Sequence, residues 1–158
     1  MRLVAAISAI VAFSLASTAH AAFASVVNQC DTSVWITSTD SKTGPTTQIA
    51  STGIWSEALH FDPKTGIAIT ITTTKDGLWT AASTITYSYT INQASNLVYY
   101  DLDMKYGLNA AWTKGQLLVT TPYANCSSIS WLHGVPPLDD RTQACQITDI
   151  LLTLCAPE

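Results

Sequence analysis

The sequence predicts an all-β protein, an antiparallel β-sandwich with two disulfides. Apolar and polar residues alternate over several short segments, which is the pattern of strands with one buried face. Turn signals separate these segments at 42–45, 62–66, 75–77 and 105–107. Helical periodicity is nearly absent, and the chain has four cysteines. Many short strands with closely spaced turns favour a sandwich or a barrel.

The first 21 residues are predicted to be a secretory signal peptide. Arg2 precedes an apolar run of about 14 residues, which is too short to span a bilayer, and Ala19 and Ala21 form an A-x-A cleavage site. A second such site places cleavage as late as Ala24. One domain, residues 22–158, follows, with no visible linker or repeat. We therefore expect a secreted protein, extracellular or in the cell wall, without membrane insertion.

Strands are predicted in order along this domain. The alternation is clearest in 67–74, where Ile67, Ile69 and Ile71 share one face, and in 84–91, where Ile85, Tyr87, Tyr89 and Ile91 do so. The segment 55–60 is interpreted as an edge strand that exposes the charge of Glu57. Further strands are predicted at 33–38, 96–104, 116–121 and 149–155.

Residues 126–145 break the alternation. Pro136 and Pro137 fix an extended backbone without amide donors, and Gly134 allows a bend before them. We predict an ordered surface loop here. Asn125, immediately before it, begins an N-x-S acceptor motif for N-glycosylation.

An even number of cysteines in a secreted chain predicts two disulfides. Pairing Cys30–Cys155 with Cys126–Cys145 closes loops worth about 8 kcal/mol in the chain-entropy model, against about 7.5 kcal/mol for Cys30–Cys126 with Cys145–Cys155. Loop closure therefore leaves the pairing open. The absence of any C-x2-C pair argues against zinc, and we expect no metal and no cofactor.

The charge pattern excludes some partners. Loss of Arg2 with the signal leaves six Lys and Arg against eleven Asp and Glu, a net charge of −5. A weakly acidic chain without a basic stripe binds neither nucleic acid nor anionic lipid well.

Three carboxylates are the candidate catalytic residues. Asp101 and Asp103 are two apart on a predicted strand, so both point to one face, with Cα atoms about 6.5 Å apart. Paired carboxylates at about 5 to 9.5 Å catalyse glycoside hydrolysis, and Glu57 is a candidate for the second acid. The competing interpretation is a solvated strand end beside Lys105.

Three other residues are candidates for ligand binding. Trp112 and Trp131 lie in stretches without alternation, and an exposed Trp stacks on sugars or docks proteins. His133 lies beside Trp131. The alternative is that each Trp fills the mouth of the sandwich, whereas Trp35 and Trp79 are interpreted as packing residues.

His60 with Asp62, and His133 with Asp139 and Asp140, match no defined metal site.

Several motifs resemble a known family. The stretch "VVNQCDTSVWITST" at 26–39 resembles the first two strands of thaumatin-like proteins, and "LVYYDLDMKYG" at 97–107 resembles a later strand. The mature chain is more similar still to the fungal antigenic thaumatin-like, or blastomyces yeast-phase-specific, secreted proteins. "HFDPKTGIAITITTTKDGLW" and the tail "C…I.W..GVPP…C…LTLC" carry that similarity. The resemblance covers roughly residues 26–155.

The resemblance implies a thaumatin-like sandwich in which the cysteine of the first strand bonds one near the C-terminus. Carried over, it implies Cys30–Cys155 and therefore Cys126–Cys145. In larger members, a disulfide-rich second region walls an acidic cleft. This chain has no room for that region, which puts a deep cleft and any activity that depends on it in doubt.

These observations favour a non-catalytic secreted protein, which we expect to be a monomer that binds cell-wall glucan or a host surface protein. One alternative is a weak endo-β-1,3-glucanase that uses Asp101 or Asp103 with Glu57. Another is a secreted effector of an unrelated four-cysteine fold, such as a double-psi barrel.

Overall fold

Two β-sheets pack face to face in the computed structural model, which describes residues 21–158. Nearly all of the predicted signal peptide, residues 1–21, lies outside this range. Within it there is one short 3-10 helix, Ala110–Trp112, and no helix long and apolar enough to cross a membrane. The strands are β1 Phe23–Asn28, β2 Val34–Thr39, β3 Thr43–Ile49, β4 Ile54–Ala58, β5 Ile67–Thr72, β6 Thr84–Asn92, β7 Leu97–Lys105, β8 Gln116–Thr120, β9 Ile129–Leu132, β10 Gln143–Gln146 and β11 Ile150–Ala156.

The two sheets have the strand orders β4-β1-β11-β8-β9 (sheet A) and β10-β7-β6-β5-β2-β3 (sheet B). This confirms the predicted all-β sandwich. Every pair is antiparallel except β1 with β11, which run parallel from Ala24–Ile150 to Asn28–Leu154. Parallel neighbours need a long connection, and here almost the whole domain forms it.

The core forms where the inner faces of the two sheets meet. The predicted alternation of β5 and β6 is confirmed: their inward residues are buried, from Ile67 to Ile71 and from Ile85 to Ile91. Burying each Ile side chain stabilises the fold by about 1.5 to 3 kcal/mol. The inner face of sheet A contributes residues of β1, β8, β9 and β11, namely Ala24, Val26, Leu117, Val119, Ile129, Trp131, Ile150, Leu152 and Leu154.

The two disulfides are Cys30–Cys155 and Cys126–Cys145, with Cα–Cα distances of 5.0 and 5.5 Å. This is the pairing that the resemblance implies. Cys30 and Cys155 are buried and join the ends of β1 and β11 in sheet A. The second bridge instead joins the segment before β9, in sheet A, to β10, in sheet B.

Asn28 organises the turns at the Cys30 end of the sandwich. Its side chain is fully buried, and its Nδ2 donates to the carbonyls of Thr32 at 2.9 Å and Ala50 at 3.0 Å. Its Oδ1 accepts the amide of Cys30 at 3.1 Å. One side chain therefore ties the β1–β2 turn to the β3–β4 turn.

The segment 126–145 departs from the prediction of a surface loop. It contains β9, an edge strand of sheet A whose Ile129 and Trp131 face the core, and it enters β10, an edge strand of sheet B. Within it, 126–128 and 133–142 run outside regular strands. The prediction extended the loop conformation expected at Pro136 and Pro137 over the whole segment and so missed the strands on either side of them.

Candidate functional site

The structure separates the candidate catalytic carboxylates. Asp101 and Asp103 alternate with the buried Tyr100 and Leu102, so both lie on the outer face of sheet B, as their spacing predicts. Glu57 of β4 instead accepts a hydrogen bond from Tyr89, whose side chain faces the interior. Sheet B lies between the two groups. Asp101 or Asp103 therefore cannot act with Glu57 on one glycosidic bond, which corrects that hypothesis.

Glu57 belongs to a hydrogen-bonded chain that joins the two sheets. Its Oε1 accepts from the Tyr89 hydroxyl at 3.0 Å and from the Ser38 hydroxyl at 3.1 Å. His60 Nδ1 is 3.1 Å from the same Tyr89 oxygen, and His60 Nε2 is 3.5 Å from Asp40 Oδ2. Burial, and then the charge of Glu57, raise the pKa of Tyr89, so the phenol keeps its proton and donates it. These hydrogen bonds therefore connect sheet A to sheet B.

His60 and His133 each contact a carboxylate, but in neither case do the described residues supply a third ligand to form a metal site. Asp62 accepts hydrogen bonds from the Ser41 hydroxyl and from the amides of Lys64 and Thr65, which hold the pKa of its carboxyl well below its usual range. His133 Nδ1 lies 3.1 Å from Glu158 Oε1. Within residues 21–158, no three His, Cys, Asp or Glu side chains form a group that could hold a metal ion.

The structure buries Trp112 and Trp131, the two candidate binding tryptophans, and exposes Trp79. Trp112 in the 3-10 helix and Trp131 on β9 are 0% and 1% exposed, so neither can stack on a surface ligand. The alternative, that they fill the sandwich, is the one the structure shows. Trp79, interpreted as packing, is 73% exposed. It lies in the 73–83 segment outside the strands, where Gly77 packs so closely against Thr72 that a Cβ would clash with that side chain.

A groove on the outer face of sheet B contains Asp101 and two aromatic side chains. Its larger part, about 570 Å³, is lined by Phe61, Tyr99 and the β6–β7 turn with its Asn92 and Gln93 amides. A smaller part, about 180 Å³, shares Thr90 and Tyr99 and adds Ser88, Asp101 and Thr142. We call the two parts together the β6–β7 groove.

Strand register and one glycine build this groove. Tyr99 pairs with Thr90, and Asp101 with Ser88, so their side chains form adjacent rows on the outer face. A Cβ on Gly66 would clash with Thr90 Oγ1 and lie 3.2 Å from the Tyr89 carbonyl oxygen, so a glycine lets the β4–β5 connection pack closely here. That connection carries Phe61. Phe61 and Tyr99 remain 45% and 37% exposed beside amide, hydroxyl and carboxylate groups.

Sequence reasoning missed Tyr99. The alternation that places Asp101 and Asp103 on one face also places Tyr99 there, so the signal was available.

Comparison with known proteins identifies the family. The profile described as Blastomyces yeast-phase-specific protein matches residues 11–156. The chain belongs to this family. Among solved structures, this chain is similar to the protein elicitor MoHrip2 from Magnaporthe oryzae, with a TM-score of 0.68 and 23% sequence identity. The similarity covers 86% of this chain and 100% of MoHrip2. That similarity shows a shared fold. No curated protein matches the sequence.

Proposed function

We propose that the protein is secreted and binds polysaccharide, without cleaving it, through the β6–β7 groove. The observation that supports this proposal is the pair of exposed rings, Phe61 and Tyr99, in a groove lined with hydroxyl, amide and carboxylate groups. Rings stack on sugar faces, while polar groups bond to sugar hydroxyls. The separation of Asp101 from Glu57 favours binding over hydrolysis.

Secretion is supported by the two disulfides and by the apolar N-terminal run. Cleavage after Ala21 suits the fold better than cleavage after Ala24. The Ala22 carbonyl accepts the Leu59 amide at 2.7 Å, and the Phe23 amide donates to Asp149 at 2.8 Å, so later cleavage would remove the start of β1. The Cys30–Cys155 disulfide, which joins the first and last strands, supports a thaumatin-like class for the sandwich.

The test is retention of the mature protein on insoluble β-1,3-glucan, chitin and mannan. We expect retention on at least one of them, and a loss of about tenfold in affinity for Tyr99→Ala, since one stacking contact is worth roughly 1.4 kcal/mol. Tyr123→Ala is the matched control, because Tyr123 is exposed outside the groove. No retention on any of the three polymers, or equal retention of the Tyr99 variant, would refute the proposal.

A secreted effector that docks a host surface protein is the second candidate. The likeness to an elicitor and the exposed apolar side chains Leu132, Val135 and Leu138 support it. This candidate predicts that Leu138→Ser, rather than Tyr99→Ala, abolishes binding of labelled protein to host cells.

A further inference from the structure

A second groove adjoins the first at the edge of the sandwich. It has a volume of about 660 Å³ and lies between β9 and the loop that precedes β10. We call it the loop groove. Its lining is mostly polar: Ser127, Ser128, Ile129, Ser130, Pro137, Asp139, Asp140, Arg141 and Gln143.

The two grooves share one wall, residues 141–143. Arg141 and Gln143 line the loop groove, whereas Thr142 between them lines the β6–β7 groove. This is the alternation of an extended segment, whose successive side chains point to opposite sides. The two grooves therefore lie on either side of one extended segment and meet at it.

Contacts on both sides fix this wall. The Thr142 hydroxyl donates to Asp101 Oδ2 at 3.1 Å, and Gln143 pairs with Tyr100 in the β7–β10 ladder. The Tyr100 hydroxyl donates to the carbonyl of Ser127, which lines the loop groove. The Cys126–Cys145 disulfide joins β10, next to the wall, to the residue before Ser127. The relative position of the grooves is therefore set by the fold, before any ligand binds.

The two grooves offer complementary chemistry. The β6–β7 groove has the rings, Phe61 and Tyr99, whereas the loop groove has no aromatic lining residue and is rich in hydrogen-bonding groups. Together they contain three carboxylates, Asp101, Asp139 and Asp140, and one cation, Arg141. This excess of negative charge repels a polyanion and suits a chain of neutral sugars.

We infer that the two grooves form one continuous surface for an extended, uncharged polysaccharide chain, which stacks on Tyr99 and Phe61 and hydrogen-bonds beyond the wall to Arg141 and its neighbours. The inference rests on the proposed function. The β6–β7 groove follows about 13 Å of strand from Asn92 to Ser88, and crossing β7 and β10 adds about 10 Å. A disaccharide cannot reach from one end to the other.

The experiment is calorimetric titration with β-1,3-linked glucose oligomers and N-acetylglucosamine oligomers of two to seven units. We expect affinity for one series to rise by at least tenfold from the dimer to the longest oligomer. Arg141→Ala should lower affinity for the longest oligomer about fivefold and leave the dimer unchanged, whereas Tyr99→Ala should weaken both. Lys75→Ala is the control, because Lys75 is an exposed cation outside both grooves.

Two results would overturn the inference and leave the proposed function intact: affinity that does not depend on length while Tyr99→Ala still weakens binding, or an Arg141→Ala variant equal to the parent on the longest oligomer. Carboxymethylated laminarin should bind at least tenfold more weakly than laminarin. Equal binding would refute the neutral-chain specificity. Failure of every oligomer to bind would overturn the inference for glucan and chitin chains, and only the absence of retention on mannan as well would refute the proposed function itself.

Discussion

The two disulfides stabilise very different regions. Cys30–Cys155 is buried, lies within sheet A and closes a separation of 125 residues. Cys126–Cys145 spans 19 residues, links one sheet to the other and lies beside the two grooves. One disulfide thus holds the first strand to the last, whereas the other lies at the base of the segment that contains residues 141–143. Stability and binding should respond separately to their removal.

The largest expected effect is from Cys30→Ser with Cys155→Ser. The long loop gives this bridge about 5 kcal/mol in the chain-entropy model, out of the 5 to 15 kcal/mol that typically stabilises a domain. The double variant should be marginally stable and should melt first at β1 and β11. Thermal melting with hydrogen exchange measures both. A loss no greater than that of the Cys126–Cys145 variant would show that loop length does not govern the difference.

Removing the second bridge, by Cys126→Ser with Cys145→Ser, should cost about 3 kcal/mol because its loop is short. The sandwich should persist with an unchanged far-UV spectrum. Binding of the longest oligomer should fall more than binding of the dimer, because the wall at 141–143 is no longer held. Equal loss for both oligomers would argue that this bridge does not position the wall.

Asn28→Ala should destabilise the Cys30 region by about 2 to 3 kcal/mol, since it removes the hydrogen bonds of this side chain and leaves the Cys30 amide without the acceptor Oδ1. Asn28→Asp separates the accepting role of Oδ1 from the donating role of Nδ2. It keeps the acceptor for the Cys30 amide but turns a carboxylate oxygen toward the carbonyls that Nδ2 contacts. We expect it to be at least as destabilising at pH 7. Denaturant melts compare the two, and an Asp variant as stable as the parent would contradict this account.

The smallest effect is expected from Lys114→Ala. Lys114 Nζ lies 2.7 Å from Asp31 Oδ2, beside Cys30, and this contact lowers the pKa of Asp31 and raises that of Lys114. Both side chains are exposed, so water and salt screen the pair. The melting temperature should stay within error of the parent's at 0.15 M salt. A clear drop in melting temperature would mean that this ion pair, like the neighbouring Cys30–Cys155 disulfide, stabilises the fold.

Local pattern was sufficient to predict much of the fold. The faces of β5 and β6 follow from a two-residue period, and so do the outward Asp101 and Asp103. The pairing of β1 with β11 is set by contacts more than a hundred residues apart, which no local pattern records.

Local pattern could not decide whether Trp131 is buried, nor could it place Phe61 in the groove, because both depend on contacts between distant segments. The face of Trp131 depends on the β8–β9 register, where it pairs with Leu117. Tyr99 could be predicted from alternation, but Phe61 could not, because the packing of Gly66 against Thr90 positions its loop.

The central place of β11 in sheet A affects how the chain is made. Among the described strands β11 is synthesised last, so before it is made β4 with β1 and β8 with β9 are separate pairs, each with an open edge where β11 belongs. Cys126 and Cys145 are synthesised before Cys155, the native partner of Cys30, so Cys30 could form a non-native disulfide with either of them first. A product truncated before Ile150 keeps both open edges, which are sites of aggregation.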